Sequence, residues 1–341
     1  MQETELLARF SLLLILFVSR FISAQVYPDR EIDSLLKAGI NNIIVQDYNN
    51  AGKEFSELNT AYPKLPLGKI YLAALKIAEA FDYAQPFERE FIEGNLSSAI
   101  EQSEELLDEN PDSLWYNYFY ALSEGYSAYY SALNNDWFEA FSSGMNSIQA
   151  FEKCLDIDEN FYEAYIAIGT FEYWKSRKTE FLNWMPFYDD DRDVGIQNLQ
   201  TAGKSASYNS YLAINSLIWI YIDKEDYESA IKLGESVLKQ FPNSRYFKWG
   251  LARAYEDVDA EKSINLYYQI LNSYPSNISN NINKIILKHL MAQQLVKLGK
   301  KESAIQICNE ILMTKNLTDY EEQKLENRLI RVRELWISLE K

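Results

Sequence analysis

Residues 211–242 read YLAINSLIWIYIDKEDYESAIKLGESVLKQFP. Apolar residues recur at steps of three and four on both sides of DKEDY (223–227), the period of a helix with one buried face. The polar DKEDY separates two such helices as a turn. Pro242 closes the second, because proline has no amide hydrogen with which to continue a helix. Two amphipathic helices joined by so short a turn lie antiparallel. A small residue such as Ala230 lets them approach, while Leu217 and Tyr221 fill the seam.

The same offsets return along the chain. Gly39, Ala51, Phe55 and Pro63 fit them, and so do Ala99, Leu106 and Pro111. Tyr165, Ile168 and Gly169 fit the first helix of another unit. Ala252, Tyr255, Ser263 and Pro275 fit the next, and Ala292, Ala304 and Leu312 the last. One pair cannot bury its own apolar face, so neighbours must stack. The pattern resembles the tetratricopeptide repeat, two antiparallel helices in about 34 residues. The resemblance implies an all-α, α-α superhelical solenoid over 25–316. Thr318 followed by Glu321 is a capping box that opens a last, heavily charged amphipathic helix. That segment, 317–341, reads as the wet-faced cap a solenoid needs at its end, with a partner-binding helix as the alternative.

With 47% hydrophobic and 14% aromatic residues, 341 residues can bury a large core. The net charge of −17 disfavours nucleic acid and anionic membrane surfaces, which need clustered Lys and Arg, and biases the chain toward partners with basic segments. Cys154 and Cys308 are far apart and fall within apolar helices, as inert core thiols do. FSLLLILFV (10–18), with Ile22, Ser23 and Ala24 before Gln25, reads as a signal peptide at 1–24 and implies a periplasmic or secreted protein. The balance of Arg9 by Glu3 and Glu5 leaves an uncleaved membrane anchor as the alternative. No cysteine follows the apolar run, so a lipoprotein anchor is not supported.

One unit is interrupted. Gly169 and Gly195 hold repeat positions that normally lie about 12 apart, yet they are 26 residues apart across YWKSRKTEFLNWMPFYDDDRDVG (173–195). Pro186 stops a helix, and an aspartate among 189–191 can cap the next. On that reading Trp184, Met185, Phe187 and Tyr188 fold back on the apolar ridge. A calcium loop is a second reading, from the alternating Asp189, Asp191 and Asp193. It fails at Val194, where glycine is needed, and at Gln200, where glutamate is needed. In the third reading the insertion at 175–193 is a lid or lip over the superhelical groove. Asp191, Arg192, Gly195, Ile196 and Leu199, with Pro186 and Phe187 before them, also resemble the "GDR..GL..L" segment of the eukaryotic tetratricopeptide family 39. That family includes inclusion-body clearance proteins associated with lipid droplets. The likeness covers about 160–275. It departs at Asp190, where the family has glycine, and at Pro186, which stands alone where the family has paired prolines.

In tetratricopeptide arrays the first helix of each pair lines the concave surface. The inward register picks out Trp115, Tyr118, Leu122 and Tyr126, then Ile166, Thr170, Tyr173 and Trp174. It continues with Asn215, Trp219 and Asp223, and with Tyr246, Trp249, Arg253 and Glu256. Aromatics dominate, and Tyr and Trp are the side chains that anchor interfaces. The same rings serve equally well as packing between helices. The Lys and Asn clamp that some arrays use for peptide C-termini is not evident.

His289, the only histidine, lies inside a helix and reads as structural. No phosphate loop, nucleophile motif or zinc spacing is present, so no catalytic residue, cofactor or metal is expected. The expectation is an exported, non-enzymatic adaptor that binds a protein or peptide in an aromatic groove. The alternative is a small-molecule or lipid site enclosed by Tyr and Trp beneath the insertion.

Overall fold

The computed structural model describes residues 25–180, 190–278 and 280–341. The expected signal segment, 1–24, and the middle of the insertion, 181–189, lie outside the described residues. Among the described residues fifteen helices follow one another, and there is no strand. They form seven antiparallel pairs and a terminal helix. The first four pairs are α1 (Arg30–Ile44) with α2 (Tyr48–Ala61), α3 (Leu67–Tyr83) with α4 (Arg89–Glu109), α5 (Leu114–Leu133) with α6 (Trp137–Ile157), and α7 (Ala164–Lys178) with α8 (Arg192–Ser205). Next come α9 (Ser210–Asp223) with α10 (Tyr227–Gln240), α11 (Arg245–Tyr255) with α12 (Ala260–Ser273), and α13 (Asn281–Lys297) with α14 (Lys301–Leu312). The last helix is α15 (Asp319–Glu340).

The turn inside a pair is built the same way four times. Gln46, Asn135, Glu225 and Gly299 take left-handed conformations, with φ between 59° and 70°. The following amide donates back across the helix end: Asp47 to the Asn42 carbonyl, Asp136 to Ser131, Asp226 to Tyr221 and Lys300 to Leu295. This is a Schellman closure, and it satisfies carbonyls that the helix end would leave unpaired. In three of the four, the aspartate that donates also caps the next helix with its side chain, as Asp226 accepts from the Ser229 amide at 3.1 Å. The reversal therefore needs only three residues.

Glycine allows a close crossing between α7 and α8. A Cβ on Gly169 would stand 2.7 Å from the Gly195 carbonyl oxygen, and one on Gly195 would stand 2.6 Å from that of Gly169. The two glycines that the repeat register pairs across the insertion do meet. At α15, Thr318 Oγ1 accepts from the Glu321 amide at 3.3 Å while Glu321 Oε2 accepts from the Thr318 amide at 3.0 Å, completing the capping box.

The array curls back on itself. Tyr208, just before α9, donates from its hydroxyl to Asp33 of α1 at 2.7 Å. Ser244 donates to the Ile44 carbonyl at 2.8 Å, and the Arg245 guanidinium grips Asp82 at the end of α3. Asn283 of α13 donates to the Asp82 carbonyl at 2.8 Å. The first two pairs thus rest on the leading ends of α9, α11 and α13. One apolar core runs unbroken from Ile32 to Phe247. At its centre sits Glu163, fully enclosed. It accepts from the Tyr208 and Asn209 amides at 2.6 and 3.2 Å, from the Asn209 side chain at 2.8 Å and from the Tyr118 hydroxyl at 3.2 Å. Burial pushes its carboxyl upward despite these donors.

Candidate functional site

The inner helices α5, α7, α9, α11 and α13 carry the residues that the sequence register turns inward. The structure divides them into two groups. Tyr118 and Tyr173 are core residues, 2% and 0% exposed, and are not available to a partner. Tyr118 donates to Glu163, and Tyr173 donates to Asp223 at 2.8 Å. Trp115 is half-buried with its ring edge-on to Tyr27, Tyr118 and Phe161. Trp174 packs edge-on to Tyr173 at 5.1 Å, and Thr170 lies 3.4 Å from the Ser216 hydroxyl. Packing takes up the surface of Tyr118 and Tyr173, while Trp115, Thr170 and Trp174 remain partly exposed.

The second group stays open on one side. Tyr246 is 36% exposed. Burial raises its phenol pKa, Tyr129 and Tyr126 opposite raise it further, and the Asn215 amide works against them. Those four side chains therefore converge from α5, α9 and α11. The Asn215 Oδ1 is buried with no hydrogen-bond partner among the described residues. Farther along, Trp219, Trp249 and Arg253 line a hollow of about 450 Å³. Its other wall comes from Ile286, Leu290 and Gln293 of α13 and from Arg328 and Arg331 of α15.

The α13 and α15 residues were not expected from the groove register. A usable signal was present. Leu325 and Val332, seven apart, form the buried stripe of α15. Arg328, three residues after Leu325, falls on the edge of that stripe.

The electrostatics of the hollow run against those of the chain. Arg253 pairs with Glu256, whose other oxygen accepts from the Tyr267 hydroxyl at 2.6 Å. Arg328 and Arg331 form no ion pair with a described residue. Burial, with Arg331 and Arg253 nearby, holds the Arg328 guanidinium below its usual range. His289 is 1% exposed, and its Nδ1 lies 3.3 Å from Arg328 Nη1. Burial and the two arginines push its pKa down to about 4, so at neutral pH the ring is uncharged and Nδ1 can accept from the guanidinium.

The described ends of the insertion form an ion-paired stem. Lys175 meets Asp191 at 2.9 Å, and Arg177 meets Asp223 at 2.9 Å. Arg192 bridges Asp190 and Glu180. Asp190 also accepts from the Arg192 amide at 3.2 Å, while Asp191 holds the N-cap position of α8 with no side-chain cap bond. Asp191 is engaged by Lys175, while Asp193 projects into solvent near Lys224. Among the described residues no three potential metal ligands converge. Asp189 and the apolar residues 181–188 lie outside the described residues. Cys154 and Cys308 are both buried and free, and burial pushes the Cys154 thiol up to about 12. Among the described residues, no helix is long and apolar enough to cross a membrane.

No family model matches the chain, and no curated protein matches it. Among solved structures it is similar to a tetratricopeptide repeat protein from Parabacteroides merdae, at 12% identity and a TM-score of 0.39, covering 92% of this chain and 100% of that one. Human IFIT1, solved as a dimer with m7Gppp-AAAA, aligns at 11% identity and a TM-score of 0.45, covering 93% and 83%. Yeast Tom70 aligns at 14% and 0.40, covering 91% and 66%. At these values the likenesses carry no argument about function. The resemblance of 160–275 to tetratricopeptide family 39 rests on the sequence alone. By its own helix pairs the chain is an all-α, tetratricopeptide-like solenoid closed by a C-terminal capping helix.

Proposed function

We propose that the chain is a non-enzymatic scaffold that holds a protein or peptide partner against its inner face. The observation that carries this is the pair Trp219 and Trp249, which line an open hollow beside Arg253 while neighbouring rings are buried. Large, rigid rings left at the mouth of a hollow are the side chains that anchor interfaces. Tyr126, Asn215 and Tyr246 extend the surface along the same inner helices. The described ends of the insertion, 175–180 and 190–193, stand on α7 and at the start of α8 beside this face. The protein is exported by the segment at 1–24 and acts in the periplasm or outside the cell.

The test is in-cell crosslinking of the tagged chain, with the bound proteins identified by mass spectrometry. Wild type recovers a partner, and Trp219→Ala with Trp249→Ala recovers it at least about tenfold less, with the helical content of the variant unchanged. Equal recovery would remove the inner face as the site. A second reading is a small or lipidic ligand, since about 450 Å³ lies within the usual size of ligand pockets. In that case a lipid or metabolite co-purifies with wild type and is lost from the same variant.

A further inference from the structure

The hollow holds two features that the binding reading does not use. The chain carries a net charge of −17, yet Arg328 and Arg331 converge on Arg253 at this one wall. Neither Arg328 nor Arg331 forms an ion pair with a carboxylate of the described residues; the carboxylate near them, Glu256, is already paired with Arg253. Three guanidiniums against one nearby carboxylate, Glu256, leave this wall with an excess of positive charge that suits an anionic group. The arginines come from a different element than the tryptophans. Arg328 and Arg331 stand on α15, whose Leu325 and Val332 are buried, so the terminal helix is held firmly in place. Arg328 is further held by the uncharged His289 ring. Opposite them stand Trp219 and Trp249.

We infer that the hollow between α9, α11, α13 and α15 is an acidic-peptide site. A carboxylate of the partner lies against Arg328 and Arg331, and an adjacent aromatic or apolar side chain lies against Trp219 and Trp249. The guanidinium fork is matched in geometry and charge to a carboxylate, and the indoles supply an apolar face in the same hollow. The partner segment is therefore acidic at this point, opposite in sign to what the net charge of the chain suggests. The terminal helix, besides capping the solenoid, completes the site. This inference rests on the proposed binding role of the inner face.

The experiment is fluorescence anisotropy with purified chain and three labelled peptides of one length: glutamates flanking a phenylalanine, and the glutamine and lysine counterparts. The glutamate peptide binds, and the glutamine peptide binds about tenfold more weakly or worse, the loss expected when a charge-assisted hydrogen bond becomes a neutral one. Arg328→Gln with Arg331→Gln removes the difference between the two peptides. Arg331→Gln alone, at an exposed position, reduces that difference without disturbing the fold. Arg89→Gln, at an exposed position of α4 that does not line the hollow, leaves it unchanged. Equal binding of glutamate and glutamine peptides, or a preference for lysine, would overturn the acidic site and leave the aromatic groove standing. Binding that survives the arginine substitutions but not Trp219→Ala overturns the acidic site in the same way. An RNA oligonucleotide held more tightly than the glutamate peptide would overturn it in favour of a nucleic-acid site. A chain that takes none of the probes overturns it as well, and the crosslinking result then decides separately whether the groove reading falls too.

Discussion

His289 is the only histidine of the chain, buried on α13 against the arginines of α15. Its folded pKa of about 4 lies below the ordinary histidine value of 6.5. Between those two values the unfolded chain binds a proton that the folded chain does not, so stability falls as pH is lowered through that window. Above 6.5 the contribution is fully present. Other carboxylates titrate nearby, so the clean measurement is a difference between two proteins. The gap in unfolding free energy between wild type and His289→Gln should narrow by about 1–3 kcal/mol from about pH 6.5 to about pH 4, read by denaturant melts. A gap that does not change with pH would mean that burial beside Arg328 and Arg331 does not hold the ring neutral. Tyr118 and Tyr173 make a different point at the same scale. Each lies on an inward-facing register position, and each ends in a hydrogen bond to a buried or half-buried carboxylate. A tyrosine at such a position is structural when its hydroxyl finds a partner inside.

Between helices, approach distance decides. The pair α7 and α8 is separated in sequence by the insertion, yet its backbones touch at Gly169 and Gly195. The obstacle facing a new Cβ is a backbone carbonyl, which cannot swing aside as a side-chain tip can. Gly169→Ala should therefore cost at least about 2 kcal/mol of stability, measured by chemical denaturation, because the two helices must separate to admit one methyl. Gly94→Ala is the control, since its Cβ would meet nothing within 4 Å. It should be neutral or slightly stabilising, because alanine is the better helix former. An equal cost at both positions would show that helix propensity, not crossing distance, governs the pair.

The molecule as a whole is shaped by contacts between its two ends. Arg245 and Asp82 are 163 residues apart, yet their side chains are only 7% and 12% exposed. Tyr48 donates to the same carboxylate at 3.0 Å, and the guanidinium stacks on Tyr274 at 4.7 Å. Breaking one partner of a buried, hydrogen-bonded pair strands the other, at a cost of about 3–5 kcal/mol. Asp82→Ala should lower stability by that order. If the variant stays folded, its radius of gyration by solution X-ray scattering should rise, because the first two pairs lose their hold on α11 and α13. Unchanged dimensions with a lowered melting temperature would mean that the apolar core from Ile32 to Phe247 holds the curl alone.

The local periodicities, read without any structure, set the helix pairs, the DKEDY turn, the capping box at Thr318 and the meeting of Gly169 with Gly195. Each of these depends on contacts within one pair or on one helix end, a few residues apart in register, so composition and spacing carry them. The division of the inner aromatics into core and surface was not legible. Whether Tyr118 is buried while Tyr246 is open depends on how far the array curls, and that curl is set by pairs such as Arg245 with Asp82, distant in sequence. The arginine wall of the hollow was hidden for the same reason. Arg328 and Arg331 sit at the far end of the chain from the helices that the groove register counts, and only the docking of α15 against α13 brings them to Trp219 and Trp249. Short-range order follows from the spacing of side chains along the chain, while the site depends on long-range packing that no spacing encodes.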